Sequence, residues 1–541
     1  MATPASLPNP VRDTQDLKDE KAVDAYQHGH DADLIPPPDV FNQDLEKGAH
    51  SHANSVHSGE RTLTSEAPVQ EEERDPDIVD WDGPDDPQNP QNWTAGKKWQ
   101  IIAALGFITL ITPLASSFFA PGVPHVLAAF NETSKLMATF VVSVYILGFA
   151  IGPLIIAPLS ELYGRMLLYN ICNVLFIVFN IGCAASNSMG MLIAFRLLAG
   201  CAGSCPLTIG GGTVSDMFPL QQRAGAMAIY SIGPLLGPVI GPVCGGFLVE
   251  TASWRWVFWI LAIAGGISGI SLYIVGRETY ATTILERKAA RLRKETGNPN
   301  LRSKLASGLP AKEIFIRAIT RPMKMLFLSP IVGLMALYVA INYGILYLFF
   351  TTMTFTFVGT YHFSSGASGV SFVGIGVGMM VGMAAMGIMS DKLIKKAQAN
   401  GEVITPEHRL PIVLTLPGAI SMPIGIFIYG WSAYYGVHWI VPIIGTAFIG
   451  VGNLTALMTI QTYLVDAFTV HAASAIAANT VLRSIFGAVL PLIGLDMYDA
   501  LGLGWGNSLL GFIALAFIPV PVLFKFYGQR IRTNPRFRIN F

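Results

Sequence analysis

Beyond about residue 99 the chain is written in blocks, with apolar runs of about twenty residues alternating with short polar turns. Each run is long enough for one helix to cross the roughly 30 Å hydrocarbon core of a bilayer. Six runs fall at about 100–121, 134–157, 167–185, 191–214, 224–248 and 256–276, and six more at about 326–350, 367–389, 411–430, 438–461, 473–495 and 506–527. The pattern predicts an all-α membrane protein with twelve transmembrane helices in two pseudo-symmetric six-helix bundles. Eight of the nine tryptophans flank or begin these runs, as expected of a residue that settles in the headgroup layer.

Residues 1–95 are rich in Asp, Glu, Pro, Ser, Asn and His and show no sustained apolar period, so they are expected to form a disordered acidic N-terminal tail. The tail has no apolar core of the signal-peptide kind, and the first span is expected to direct insertion. Residues 96–276 then form the N-terminal bundle, 277–325 a basic connector, 326–528 the C-terminal bundle and 529–541 a short tail. Arg287, Lys288, Arg291, Arg293 and Lys294 in the connector, and Lys525, Arg530 and Arg532 after the last span, put both segments on the cytoplasmic side by the positive-inside rule. Lys97, Lys98, Arg165, Arg223, Lys392, Lys395 and Lys396 agree with that assignment, so both termini are expected inside. Asn131, in the triplet Asn131-Glu132-Thr133, is then an external glycosylation acceptor.

Composition sharpens this picture. The chain of 541 residues is 52% hydrophobic and only 13% charged, which points away from a soluble enzyme. Of its 35 acidic residues, 21 precede Trp99, so the membrane part is acid-poor. All five cysteines lie inside apolar runs, which argues against a disulfide framework or a Cys-based metal site. No phosphate-binding G-x-x-x-x-G-K-[ST] loop occurs, and no nucleophile and base stand at a recognisable spacing. The scattered tail histidines His28, His30, His50, His52 and His57 lack metal-ligand spacing. Neither a cofactor nor a metal, nor a nucleic-acid partner, is expected.

In span 5, Gly233, Gly237, Gly241 and Gly245 recur every four residues, and Pro234, Pro238 and Pro242 follow three of them, with Gly246 closing the run. On a helix such glycines form a stripe without side chains that lets another helix approach closely in lipid. Gly374, Gly378 and Gly382 of span 8 repeat the interval, and the two stripes are expected to form one seam. The halves echo each other elsewhere. The turn after span 2, APLSELYGR, and the turn after span 8, GIMSDKLIK, match at equal offsets in a small residue, Ser, an acid and a base. Glu161, Arg165, Asp216 and Arg223 gather opposite charges at one membrane face; ordinary interfacial pairing, worth about 0–1 kcal/mol per exposed pair, is the plain alternative.

These motifs resemble those of the major facilitator superfamily. The span 5 pattern is similar to its antiporter motif GxxxGPxxxGPxxGG, and the span 2 turn to its GxLaDrxGRk turn, with Glu161 at the Asp position and Leu162 in place of the first Arg. Asp391 and Lys392 keep both in the second half. The run LGFAIGPLIIAPLSELYGR, with DPQNPQNW (Asp86 to Trp93), SWRWVFW, PEHRLP, IGIFIYGW and AANTVLRSIFGAVLPL, is closest to fungal twelve-span drug:proton antiporters. The resemblance covers about residues 86–532. It implies the major facilitator fold, alternating access, a gate formed by Glu161, Arg165, Asp216, Arg223, Asp391 and Lys392, a monomer, and a plasma-membrane or vacuolar location.

Arg196, in FRLLAGCAGS, matches RxxxGxgA of the family's fourth span, where the Arg is implicated in proton transfer. An arginine inside the bilayer costs about 2.5–3.5 kcal/mol on insertion scales, which makes Arg196 and the mid-span Arg483 functional candidates. Capping of free carbonyls is the structural alternative for each. No acid lies at the centre of a span. Of the groups at the external ends, Glu132 stands where the fungal family it resembles usually has a Glu before span 2, which ranks it first for protonation, ahead of His125 and His438. Asn342, Tyr343, Tyr347, Gln461 and Arg483 are expected to line a substrate cavity suited to neutral or acidic amphipathic compounds. Export of drugs, fungicides, toxins or secondary metabolites by proton antiport is the leading reading. Proton-coupled uptake of a nutrient and a transporter-like sensor are its rivals.

Overall fold

The computed structural model describes residues 77–534 apart from 307, 309 and 402–404. The five tail histidines and most of the acidic tail lie outside the described residues, as do the side chain of Asp391 and the chain after Asn534.

The apolar runs are helices. Spans 1 to 3 are Ala95–Ser117, Lys135–Tyr163 and Arg165–Ala184. Span 4 is made of Met189–Gly203 and Cys205–Met217, and spans 5 and 6 are Leu220–Thr251 and Trp254–Val275. In the second half, span 7 is Pro330–Tyr361, span 8 joins Ser365–Val370 to Val373–Ala399, and spans 9 and 10 are Ile412–Tyr434 and Ile440–Ala467. Serine caps set several starting points: the hydroxyls of Ser134, Ser188, Ser253, Ser329 and Ser364 each accept an N–H of the first turn.

Among the described residues, eleven helical stretches are long and apolar enough to cross a membrane, and the last, Ala472–Thr533, has 62 residues. At about 1.5 Å per residue it would reach about 90 Å, far beyond one bilayer core. It turns back at Gly502, whose φ of 73° is open to glycine. Both ends of the stretch lie on the same face, since Gly528 stands beside Tyr463 and Glu407 near the end of span 10. The stretch therefore supplies spans 11 and 12, and the count among the described residues is twelve.

The two halves repeat one packing scheme. Span 1 lies on span 5, 2 on 4 and 3 on 6; correspondingly, span 7 lies on 11, 8 on 10 and 9 on 12. Span 6 shows a lipid-facing stripe in which Ile263, Ile267, Ile270 and Ile274 are all exposed. The halves meet along spans 2 with 11 and 5 with 8.

The expected seam of glycines is different from the one observed. Gly233, Gly237, Gly241 and Gly245 face span 1 of the same half, against Leu110, Leu114, Ser117 and Phe118. A Cβ on Gly237 would stand 2.8 Å from the Leu110 carbonyl oxygen and from the Leu114 nitrogen. Gly374, Gly378 and Gly382 face span 10 in their own half. The 5–8 contact between the halves uses the neighbouring register instead, with Val239 against Gly376, Pro242 against Gly369, and Gly246 against Ser365 and Gly366. One proline is explained by the packing of span 5 on span 1. Pro242 has no N–H for the carbonyl of Pro238, and the Ser117 hydroxyl donates to that carbonyl at 3.1 Å.

The boundary expected at residue 95 also moves. Residues 77–93 are folded against the connector, which is itself helical over Ala281–Thr296 and Ala311–Leu328. Ile78–Val79 pairs in parallel with Arg302–Ser303. Lys288 donates to Asp82 at 2.6 Å and stands 3.7 Å from Asp86. Asp86 accepts the N–H groups of Asp82 and Gln88, and Asn92 donates to the carbonyls of Pro84 and Asp86. Burial pushes the Asp86 carboxyl up, but those two N–H groups and Lys288 outweigh it and hold it below the ordinary aspartate value. At the other end, helix continues to Thr533, past the expected tail boundary at 529.

Candidate functional site

At the core, where the halves meet, a polar chain crosses from one to the other. Arg196 on span 4 is 1% exposed and lies within 5.1–5.7 Å of the Phe119, Tyr145 and Phe258 rings. Its Nη2 donates at 3.4 Å to the Ser116 carbonyl of span 1 and at 3.3 Å to the Val142 carbonyl of span 2. The Ser116 hydroxyl is 3.1 Å from the Tyr347 hydroxyl on span 7, in the other half. The Tyr347 ring lies 4.9 Å from that of Tyr343, and Arg483 of span 11 sits over the Tyr343 ring at 5.0 Å. Both arginines keep a buried Nε with no hydrogen-bond partner. An arginine nitrogen buried without a partner carries an unmet desolvation cost and is a ready donor for a ligand oxygen.

Of the expected cavity residues, Tyr343, Tyr347 and Arg483 come together. Asn342 is buried but turns its amide onto the Tyr338 carbonyl of its own helix, and Gln461 is half-buried in the last third of span 10. Glu132 stands at the start of span 2, where its carboxylate accepts the N–H groups of Thr133 and Ser134. Asn131 is exposed at the left-handed end of a short helix beside it.

On the face that carries most of the Arg and Lys, the basic face, the expected charge cluster is rearranged. Arg165 pairs with Asp216 at 3.4 Å and donates to Ser160 at 2.8 Å, while Glu161 is exposed. Arg223 donates to the Ser215 carbonyl. Glu278, which no motif marked, accepts the backbone N–H groups of Arg165 and Met166 and so grips the turn after span 2. Gly164 lets it come that close, with φ at 98° and Glu278 occupying the space of a Cβ. In the second half Lys392 is exposed, and the counterpart of Arg165–Asp216 is Arg409–Asp466 at 2.6 Å. The PEHRLP motif carries that arginine; its distance in sequence from Asp466 hid the pairing.

On the opposite, far face three side chains of the N-terminal half make polar contacts with the other half. Glu250 at the end of span 5 accepts the Gly366 N–H at 2.7 Å and the Ser364 hydroxyl at 3.0 Å. His125 meets Ser365 at 2.9 Å, and Lys135 pairs with Asp499. Deeper in, the Ser143 hydroxyl donates to the Ala488 carbonyl at 2.9 Å. Glu250 was missed because a lone acid at a span end carries no pattern.

Two six-helix halves that close at one face around a buried polar chain define a membrane transporter. The profile of the Major Facilitator Superfamily matches residues 105–491. The chain is 55% identical over 477 residues to the MFS-type transporter penM of Penicillium rubens, covering 88% of this chain and 94% of that one. It is 50% identical to the efflux pump radE of Floropilus chiversii, covering 91% and 92% of the two chains. A bacterial homologue of the human lysosomal transporter Spinster, solved inward-facing and unoccupied, superposes with a TM-score of 0.58 at 14% identity, over 83% of this chain and 100% of that one. The chain belongs to the major facilitator superfamily.

Proposed function

We propose that this transporter exports small amphipathic organic compounds, such as drugs, fungicides, toxins or secondary metabolites, by proton antiport through alternating access. The single observation that carries the reading is the Arg196–Ser116–Tyr347–Tyr343–Arg483 chain, which spans both halves with two unsatisfied guanidinium nitrogens. Aromatic walls suit an apolar ligand body, and the free donors suit a carbonyl, hydroxyl or carboxylate oxygen. A cation would meet like charge. The efflux name of one close relative supports the outward direction.

The basic face is the cytoplasmic one in this reading, and the closed far contacts belong to the state that admits substrate from the cell. Arg165–Asp216 and Arg409–Asp466 hold the cytoplasmic turns of each half while the bundles rock, with Glu161, Arg223, Asp391 and Lys392 around them. Glu132, outside, and Arg196, inside the bilayer, carry the coupling to protons. One proton entering down about 120 mV and about two pH units supplies roughly 5.5 kcal/mol, enough for about a 10⁴-fold gradient. The protein acts as a monomer in the plasma or vacuolar membrane, and Asn131 is open to glycosylation from outside.

Inside-out vesicles test this. An imposed gradient with the vesicle interior acid should drive uptake of a neutral azole or an organic acid into the vesicles as protons leave, and Arg483→Ala should abolish it. Uptake that ignores the proton gradient removes antiport; uptake of spermidine in preference to both removes the substrate class.

A further inference from the structure

A pocket of about 490 Å³ opens on the basic face, away from the central site. Its walls are the folded segment before span 1, the basic-face ends of spans 1 and 6, and the connector helix Ala281–Thr296. Five cations line it, Lys97, Arg277, Arg287, Lys288 and Arg291, against one acid, Glu278. The charge does not cancel internally. Glu278 is engaged by the N–H groups of Arg165, Met166, Thr279 and Tyr280, and Lys288 is matched by Asp82 and Asp86. Arg291 has only a loose 3.7 Å pairing with Glu295. Among the described residues Lys97, Arg277 and Arg287 have no carboxylate partner; Lys97 instead lies 3.7 Å from the Trp93 ring.

The level of the pocket says what it would hold. Lys97 is the third residue of span 1, and Arg277 follows the last residue of span 6 by two positions, so both stand where headgroups begin. Just above Arg277, Tyr273 is 80% and Ile274 66% exposed on the lipid-facing side of span 6. A molecule with phosphate at the pocket and acyl chains along that strip meets both surfaces at once. We propose that this pocket binds the phosphorylated headgroup of an anionic membrane lipid in the leaflet beside the basic face. Clustered Lys and Arg next to a span attract such lipids by about 1 kcal/mol per residue. The pocket adds walls that a merely basic surface lacks.

The test uses the purified full chain in neutral detergent, titrated with dioctanoyl phosphatidylinositol 4-phosphate. Saturable binding is expected, weakened about thirty-fold in the Arg277→Gln/Arg291→Gln double variant. The exposed pair Lys395 and Lys396, on the same face of the other half, serves as control: Lys395→Gln/Lys396→Gln should bind as the parent does. Thermal unfolding of each variant confirms that the fold is kept. No saturable binding, or equal loss in both double variants, overturns the site. Equal affinity for the inositol phosphate headgroup without acyl chains overturns the assignment to lipid.

Discussion

The Ser116 and Tyr347 hydroxyls lie 3.1 Å apart and belong to different halves of the molecule. Ser116 also holds Arg196 through its carbonyl, and the Tyr347 ring packs on that of Tyr343 beneath Arg483. The two arginines are thus linked through one contact that must break if the halves separate there.

Removing that contact tests the link. Ser116→Ala and Tyr347→Phe should each shift transport, and a double-mutant cycle on initial flux should give a coupling of about 1 kcal/mol, the usual net worth of one hydrogen bond. Strict additivity would place the contact outside the cycle.

Glycine replacements separate packing within a half from packing between halves. Gly237→Leu forces a side chain into the span 1 backbone and should lower the melting temperature and the yield of folded protein, by an overpacking cost of about 1–3 kcal/mol. Gly376→Leu meets Val239 across the interface, and should keep each half folded while flux falls at least tenfold. Equal thermal stability of Gly237→Leu and the parent would contradict the observed seam.

The proposed coupling at Glu132 has its own readout. Glu132→Gln should remove the dependence of flux on external pH while leaving substrate binding unchanged. An amide oxygen still accepts the N–H groups of Thr133 and Ser134, so lost folding is not the expected outcome. Unaltered pH dependence moves coupling to His125, His438 or Arg196.

The folded segment before span 1 predicts a pH effect with a definite sign. Asp86 is held below its ordinary value of 3.8, so its contribution to docking is complete above that value and is lost as pH falls through the lowered one. Proteolysis between residues 77 and 93 should be slow at neutral pH and rise in strong acid. Asp86→Asn should show the fast rate at neutral pH.

How much was legible beforehand follows from the range of the forces involved. The number of the spans, the two halves and the basic face are written locally, because an apolar run of bilayer length has one stable placement and flanking Arg and Lys orient it. The exact helix ends are not, since span 7 runs on to Tyr361 and span 8 to Ala399, past the apolar runs. Buried arginine in an acid-poor bundle was legible for the same reason: Arg196 and Arg483 stand out by their cost. The glycines of span 5 announced a close approach but not its partner, since lipid gives one apolar helix no preference over another and only the fit of whole surfaces chose span 1. Arg165 and Asp216 were legible as members of one charge cluster, whereas Asp466 with Arg409, 57 residues apart, is joined by helix packing that no local pattern encodes. Residues 77–93 looked like tail because their order comes from Lys288 and the strand at Arg302, more than 200 positions away. Only the tertiary structure supplied those partners, and with them the site that links the two halves.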